Sequence, residues 1–392
     1  MTNQEIKQAV ENVFDEVVTA RRHIHQHPEL SFEEYETAAY VKEKLTAAGI
    51  QPVSIGRTGV VAVIAPEGME NEPCLALRAD LDALPIHEQS GESFSSGKPG
   101  VMHACGHDVH TAVLLGVAKI VQENKEQLRR PVKFIFQPGE EKLPGGASVL
   151  IEEGVLENPR VTEILGLHVF PELEQGKVGF KPGMYMASCD EIFITVKGKG
   201  GHGAMPHQVI DPVLIGSSIV VQLQQIVSRS CDPKIPCVLS FGHFEALGAT
   251  NVIPDQAFLK GTFRTMNEEW RSKAHELIRK QADFIARSMG GEVDVVIDKG
   301  YPFLENNEEI TGQVKKCATE ILGEVNVVDL PIRLTAEDFS YYSQEVPACF
   351  FRMGTRNEAV NAIFGVHNSK FKVEEEALKS GMAVFLSYVF TK

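Results

Sequence analysis

The chain has 392 residues, 43% of them hydrophobic and 23% charged, with a formal net charge of -15 at pH 7. This composition is typical of a folded globular protein, and no apolar run approaches the roughly 20 residues of a membrane-spanning helix. The acidic balance argues against nucleic-acid and membrane partners, which need clustered basic residues. The acidic, polar N-terminal segment is unlike a signal peptide, so we expect a cytoplasmic location.

Helices and strands alternate in the first part of the chain. Apolar residues at helical spacing and short apolar runs bounded by glycine or proline mark the elements. They predict helices at 4–22, 35–48, 107–123 and 146–153 and strands at 59–65, 74–80, 132–137 and 163–169. Such alternation predicts an α/β layer with a largely parallel sheet.

The pattern changes after residue 184. We predict strands at 191–198, 238–244, 256–264 and 292–297 and helices at 212–227 and 267–288, an order typical of an α+β sandwich. The alternation then resumes, with helices at 308–322 and 337–344, strands at 325–330 and 348–354, and a final helix from 374. The sequence therefore predicts one domain made of 1–184 and 299–392, with a second domain, 185–298, inserted into it.

The densest chemical signal is MHACGHDVH at 102–110, directly before an apolar helical stretch. A thiol and several imidazoles on one loop can be directed at a single metal ion. Cys105 and His107 are the candidate ligands. The alternative is a capped helix start, in which Asp108 lies where the helix dipole favours a carboxylate.

Other candidate groups follow predicted strands. FQPGEE places Glu140 and Glu141 at a strand end, where adjacent carboxylates are costly unless a cation compensates. Open α/β sheets place ligands at such ends. His168 ends a strand in GLHVFP, and His367 lies in the loop GVHNSKF. A lone histidine at a strand end is more often structural. His168 and His367 are therefore candidate ligands only in combination with the other candidate residues.

Further polar residues have two interpretations each. Asp80 and Asp82 in LRADLDALP either orient imidazole ligands or form an Asp-rich turn. His202 lies in the glycine-rich VKGKGGHGAMPH, which either approaches a ligand closely or forms a flexible hairpin. Asn251 in NVIPD is a binding candidate, and Arg264 in GTFRT either clamps a substrate carboxylate or pairs with a surface acid. From the residues alone we favour the surface pair.

Together these segments closely resemble the amidohydrolase branch of the aminoacylase and carboxypeptidase clan of dinuclear metallopeptidases. That branch includes hippurate hydrolases, N-acetyl-diaminopimelate deacetylases and plant auxin-conjugate hydrolases. The resemblance covers nearly the whole chain, through RRHIHQHPELSFEE, LRADLDALPI, MHACGHDVH, FQPGEE, GLHVFP, GKGGHGAMPH, NVIPD, GTFRT, AEDFSYY and FGVHNSKF. Where many relatives in the wider clan have a histidine ligand in an HxD motif, this chain has Asp80 before Asp82, so the CGHD segment must supply thiolate and imidazole.

The resemblance implies a mostly parallel-sheet metallopeptidase domain with an inserted lid and dimerisation domain, and a homodimer. It also implies two divalent metal ions per subunit, bound by Cys105, His107, Glu141, His168 and His367, with Cys105 bridging. Zinc or manganese suits these ligands, with cobalt and nickel as further candidates.

The same resemblance assigns the remaining roles. Glu140 would be the general base and acid. We ourselves group Asp82 of LRADLDALP with the catalytic residues. His202 would reach the active site of the partner subunit and stabilise the oxyanion. Asn251 and Arg264 would bind the substrate carboxylate.

The reaction implied is metal-dependent hydrolysis of the amide bond of N-acyl amino acids or small peptide-like substrates. One alternative is a dipeptidase or carboxypeptidase of the same family, and another is a non-catalytic homologue that binds peptide or metal. A third is a hydrolase with Cys105 as nucleophile, whose activity would survive chelation. The presence of both Glu140 and Glu141 argues against the binding homologue.

Overall fold

The structure, a computed structural model, describes residues 1–391, which divide into two units. The first unit consists of 1–184, 305–332 and the chain from 338 onwards, and the second consists of 185–304 and 333–337. The predicted insertion, 185–298, falls within the longer segment of the second unit. The role of this unit as a lid or dimerisation domain stays a prediction.

Helices and strands alternate along much of the chain. The α-helices are α1 (Asn3–Gln26), α2 (Tyr35–Ala47), α3 (His107–Glu123), α4 (Gly146–Glu152), α5 (Pro212–Gln225), α6 (Glu268–Ser288), α7 (Glu308–Leu322), α8 (Ser340–Glu345) and α9 (Ala377–Thr391). The strands are β1 (Pro52–Ile55), β2 (Gly59–Ile64), β3 (Cys74–Asp80), β4 (Val132–Gln137), β5 (Val161–Glu174), β6 (Val178–Phe180), β7 (Gly183–Met186), β8 (Asp190–Lys197), β9 (Gly201–His202), β10 (Cys237–Glu245), β11 (Val252–Ile253), β12 (Gln256–Thr265), β13 (Glu292–Lys299), β14 (Leu304–Asn306), β15 (Val327–Asp329) and β16 (Ala348–Arg356).

An eight-stranded sheet in the order β1-β2-β4-β3-β5-β16-β6-β15 forms the centre of the first unit. The central strands β4, β3, β5 and β16 are parallel to one another, whereas β1 with β2, β2 with β4 and β16 with β6 are antiparallel. The predicted, mostly parallel α/β sheet is therefore confirmed. Because β3, β4 and β5 are parallel, their carboxyl ends lie at one edge of the sheet, where open α/β sheets bind ligands.

Helices α1, α3 and α9 pack against one another in the first unit. Thr2 and Glu5 form a capping box at the start of α1, and apolar residues at helical spacing, from Ile6 to Val17, are buried along one face. Helix α3 begins and ends where the sequence predicted it, and nearly all of its residues are buried. This packing fixes the segment Cys105–His107 at the amino end of α3.

The second unit has an antiparallel sheet in the order β10-β12-β8-β13. Helices α5 and α6 contact each other and pack on this sheet around apolar residues such as Ile194, Ile219 and Ile278. Alternate residues of β8 are buried, which is the pattern of a sheet with one covered face. The predicted α+β arrangement, with helices on an antiparallel sheet, is what the structure has. A two-stranded ribbon of β9 and β11 carries His202 opposite Val252.

None of the helices within residues 1–391 combines the length and the apolar character required to cross a lipid bilayer.

Candidate metal centre

Four segments of the first unit bring polar side chains together at the carboxyl ends of the parallel strands. The segments are the loop before α3 together with the first residue of α3, the turn after β4, the strand β5 and the loop between β16 and α9. They carry Cys105 and His107, Glu140 and Glu141, His168, and His367 respectively. All five predicted metal ligands thus come from segments that converge on one place.

The ligand atoms form overlapping groups, within each of which all atoms lie no more than 4.8 Å apart. One group is Cys105, His107 and His168, and another is Cys105, Glu141 and His367. The Cys105 Sγ lies 3.3 Å from His168 Nε2, and His367 Nε2 lies 3.1 Å from Glu141 Oε1. Cys105 belongs to both groups, and its role as a bridging ligand stays a prediction.

The backbone of the loop before α3 is held in an uncommon conformation. Gly106 has φ +86°, and a Cβ at this position would lie 2.6 Å from the side chain of Val169. Glycine is therefore required for the close approach of Cys105 and His107 to strand β5. His367, with φ +63°, donates its backbone N–H to the Ala104 carbonyl and so attaches the last loop to the same segment.

The donor set fits divalent metal ions. The Nε2 atom of His107 is buried and has no hydrogen-bond partner in the described part of the chain. A buried polar atom without a partner is costly, and a metal ion would satisfy its lone pair. The mixture of thiol, imidazole and carboxylate suits zinc and the later first-row transition metals.

Neighbouring groups orient both buried imidazoles. Asp82 Oδ1 lies 3.1 Å from His107 Nδ1, and the backbone carbonyl of Val169 lies 2.7 Å from His168 Nδ1. An N–H donated from Nδ1 leaves the lone pair on Nε2, as is usual for metal-bound histidine. Asp82 is fully buried and also accepts hydrogen bonds from the Ser31 hydroxyl and the Glu141 backbone N–H.

Carboxylates make the centre strongly attractive to cations. Burial disfavours the charged form of His107, but Asp80, Asp82 and Glu141 outweigh this effect and raise its pKa to about 10. Without another cation the cluster therefore retains a proton on His107. A divalent ion would supply the same compensation with more charge.

Asp80 and His110 form a structural pair beside these ligands. Asp80 Oδ1 lies 2.6 Å from His110 Nδ1, and Asp80 Oδ2 accepts a hydrogen bond from Arg78. The Nε2 of His110 accepts the backbone N–H of Val169, so both of its nitrogens are engaged. Although His110 lies in the MHACGHDVH motif and near His107, it has no lone pair left for a metal ion.

The environment of Cys105 argues against a thiol nucleophile. Burial raises the pKa of its thiol well above the usual value, and the nearby carboxylates of Glu141 and Glu140 raise it further. A nucleophilic cysteine needs a lowered pKa at an exposed, electropositive position. A coordinated metal ion would instead deprotonate this thiol outright.

The remaining predicted site residues belong to the second unit. The backbone N–H of Gly203, next to His202, donates to the Asn251 carbonyl, so Asn251, which directly precedes β11, lies beside the end of the β9–β11 ribbon that carries His202. His202 is exposed, and its Nδ1 accepts the backbone N–H of Ala204. Arg264 lies on β12, and its guanidinium is 3.5 Å from the Leu334 carbonyl. Their roles stay predictions.

Two buried carboxylates near the metal centre, those of Glu34 and Asp338, were not among the site residues predicted from the sequence. Glu34 accepts the backbone N–H of Gly139, and Asp338 accepts hydrogen bonds from Arg78, Gln137 and Ala147. Both lie in quoted motifs, HPELSFEE and AEDFSYY. No local pattern indicates that Glu34, rather than its neighbour Glu33, is buried.

Comparison with known proteins identifies the family. The model of peptidase family M20/M25/M40 matches residues 76–391. The chain belongs to this family. An N-acyl-L-amino acid amidohydrolase of Geobacillus stearothermophilus is 43% identical over 79% of this chain and 83% of its own. Thermostable carboxypeptidase 2 of Saccharolobus solfataricus is 39% identical over 96% of this chain and 95% of its own.

A solved member of the family has the same fold. The Bacillus subtilis YXEP protein, described as a dinuclear metal binding peptidase, has a TM-score of 0.81 and 34% identity. The superposition covers 97% of this chain and 98% of that one. The predicted family and the prediction of a metal-dependent amidohydrolase are confirmed, and so, in its coarser form, is a centre for two divalent ions.

Proposed function

We propose that this M20/M25/M40 family member hydrolyses the amide bond of N-acyl amino acids at a centre of two divalent ions. The observation that carries the proposal is the pair of overlapping ligand groups that share Cys105. Cys105, His107 and His168 would hold one ion, and Cys105, Glu141 and His367 the other. The relative named N-acyl-L-amino acid amidohydrolase supports the substrate class.

When bound, the two ions supply Lewis-acid chemistry, which polarises a carbonyl oxygen and lowers the pKa of water. The protein contributes the placement of its acid and base. The carboxylate of Glu140 is 6% exposed, and its Oε2 lies 3.9 Å from His107 Nε2. The Asp338 backbone N–H lies 3.4 Å from the other oxygen, Oε1. Glu140 takes a proton from the attacking water and returns it to the leaving nitrogen.

Asp82 has the contacts of a positioning residue. It faces the Nδ1 of His107 and the backbone N–H of Glu141, two of the proposed metal ligands. We therefore assign it the orientation of these ligands, and not contact with the reacting atoms.

The second unit would complete the site in a homodimer. In this proposal His202 of the partner subunit donates to the developing oxyanion, and Asn251 and Arg264 bind the substrate carboxylate. Exposed apolar side chains of the second unit, such as Val221 and Phe284, support an interface there, because 72% and 74% of their surfaces are exposed. Strand β10, at one edge of the antiparallel sheet, also offers an unpaired edge.

The substitution Glu140→Gln tests the assignment of the base. It keeps the size of the side chain, so the variant is expected to bind two ions per chain as the wild type does, measured by elemental analysis. Its kcat for N-acetyl-methionine or hippurate should fall on the order of 10³-fold, because a positioned general base contributes about 10²–10⁴. Glu126→Gln, at an exposed glutamate, is the matched control and should keep wild-type kcat. A folded, metal-loaded Glu140→Gln variant with wild-type turnover would contradict the proposal.

A carboxypeptidase of the same family is the second candidate, since a relative 39% identical has that name. Peptides with a free amino terminus distinguish the two activities. A kcat/KM for such peptides above that for N-acyl amino acids would favour the carboxypeptidase.

A further inference from the structure

The turn that carries Glu140 and Glu141 is attached to the protein at two backbone N–H groups by two buried carboxylates. Asp82 accepts the N–H of Glu141 at 2.9 Å, and Glu34 accepts the N–H of Gly139 at 2.8 Å. Asp82 also touches a proposed metal ligand, whereas Glu34 does not touch one. Glu34 therefore contacts the turn without contacting a proposed metal ligand.

Glu34 is completely buried, with 0% exposure, and it is held by neutral donors. Its Oε1 also accepts the backbone N–H of Phe32 at 2.8 Å, and its Oε2 accepts the hydroxyl of Thr58 at 2.5 Å. No lysine or arginine within the described residues 1–391 pairs with it. A buried carboxyl group without a cation is costly, so its position beneath the turn needs an explanation.

The backbone around this contact is constrained on both sides. Gly139 has φ +60°, and a Cβ there would lie 2.5 Å from the ring of Phe32. Phe32 itself has φ +66°, an uncommon conformation for a residue with a side chain. Since Oε1 of Glu34 accepts the N–H of both residues, one oxygen joins two segments that each have a positive φ.

We propose that Glu34 is a positioning residue, whose carboxyl oxygen clamps the Gly139 N–H and so fixes Glu140 in its reactive orientation. This inference rests on the proposed function of Glu140. A base that is displaced by about 1 Å can lose roughly 10²-fold in rate. The clamp needs an acceptor oxygen and no negative charge, and burial raises the pKa of Glu34 to about 7, in agreement with a group that works without charge.

Two substitutions separate these requirements. Glu34→Ala removes the acceptor, whereas Glu34→Gln retains an oxygen for the two N–H groups and an amide that can donate to Thr58. Glu29→Ala is the matched control, because Glu29 is a buried glutamate in the same motif that accepts two hydrogen bonds from Thr37. Glu29→Ala should lower the free energy of unfolding and leave kcat unchanged.

Kinetics and hydrogen exchange of the full chain test the proposal together. In Glu34→Ala, we expect kcat for an N-acyl amino acid to fall about 10- to 100-fold with KM within about threefold. Amide exchange in the segment 138–142 should accelerate about tenfold or more, because the N–H loses its acceptor. Glu34→Gln should restore both quantities to within about threefold of wild type.

Either of two results would overturn the clamp. The first is that amide exchange in 138–142 and kcat are the same in Glu34→Ala as in Glu29→Ala. The second is that Glu34→Gln has the same fast exchange and the same low kcat as Glu34→Ala. If Glu34→Ala does not fold, the variant Thr58→Val is used in its place. It removes the hydroxyl that donates to Glu34 Oε2 and should accelerate amide exchange in 138–142. Exchange and kcat equal to those of the wild type in Thr58→Val would then overturn the proposal. Because hydrogen exchange needs no substrate, it tests the clamp even if the protein does not hydrolyse N-acyl amino acids. Failure of the proposed function can therefore be distinguished from failure of the clamp.

Discussion

The tautomer of His107 depends on one carboxylate, Asp82, which faces its Nδ1 at 3.1 Å. Asp82→Asn keeps the shape but weakens this acceptor, so metal affinity should fall about 10- to 100-fold. Competition with a fluorescent chelator measures the affinity. Ser31→Ala, which removes only a donor to Asp82, is the milder comparison and should change affinity less than Asp82→Asn does. Equal affinities in Asp82→Asn and wild type would contradict the positioning role.

The buried Glu34 should make the stability of the metal-free protein depend on pH. Burial is the largest influence on Glu34 and raises its pKa to about 7, against about 4.3 in an unfolded chain. The folded chain therefore keeps a proton that the unfolded chain releases. The stabilising contribution is complete below about pH 4.3 and is lost as the pH rises through about 7.

Urea denaturation between pH 4 and 8 measures this effect. Glu34→Gln cannot titrate, so the decline of the free energy of unfolding across this range should be shallower by the contribution of one proton. The exposed change Glu126→Gln should keep the wild-type decline. The same decline in Glu34→Gln would show that the Glu34 carboxyl group ionises normally.

At the level of elements, helix α1 is joined to the start of α3 by a buried ion pair. Arg21 Nε lies 2.8 Å from Asp108 Oδ2, and both side chains are 1% exposed. Burial alone would raise the pKa of Asp108, but Arg21, His25 and a hydrogen bond from His25 hold it well below its usual range. Since Asp108 follows His107, this pair anchors the loop that bears the metal ligands.

Arg21→Met leaves the Asp108 carboxylate without its main partner and should lower the free energy of unfolding by about 3 kcal/mol. Arg22→Met is the control, because Arg22 is 48% exposed in its ion pair with Glu375. An exposed pair of this kind contributes about 0–1 kcal/mol. Urea denaturation of both variants measures the difference. Equal losses would mean that the buried pair adds nothing to the anchoring of α1.

Elements with strong local patterns were predicted well from sequence. Helices α3 and α7 and strand β4 have the predicted bounds, because caps, glycine and continuous apolar runs mark their ends. Strand β1 was not predicted, since its residues are exposed or half-buried and it exists through pairing with β2. Helix α1 extends to Gln26, beyond the predicted 22, because burial of Ile24 and His25 continues its packed face.

The ligands of the centre could be selected by residue type, but their hydrogen-bond partners could not. His107 and His110 both lie in the motif, and the contacts of His110 with Asp80 and with Val169, 59 positions along the chain, mark it as structural. Glu33 and Glu34 differ only in which one the fold buries. Such distinctions depend on contacts between distant segments, which no local pattern reveals.

At the scale of the whole molecule, the proposed homodimer predicts complementation between two inactive variants. His202→Ala and Glu140→Gln should each lose most activity alone. If His202 acts on the partner subunit, a mixed dimer contains one complete site, and an equal mixture recovers about a quarter of wild-type activity. Co-expression with two affinity tags isolates the mixed dimer, and sedimentation establishes the oligomer. No recovery would mean that His202 acts in its own subunit, whereas wild-type activity of His202→Ala alone would place it outside the reaction.

The most direct test of the whole account is hydrolysis by protein that has been stripped of metal with a chelator and then titrated with zinc, manganese or cobalt. The substrates are hippurate, N-acetyl-methionine, N-acetyl-diaminopimelate and several dipeptides. We expect that activity disappears on stripping, returns with added ion and reaches its maximum at about two ions per chain. Activity that persists without metal, or no hydrolysis of any substrate by protein with two bound ions, would contradict the proposed function.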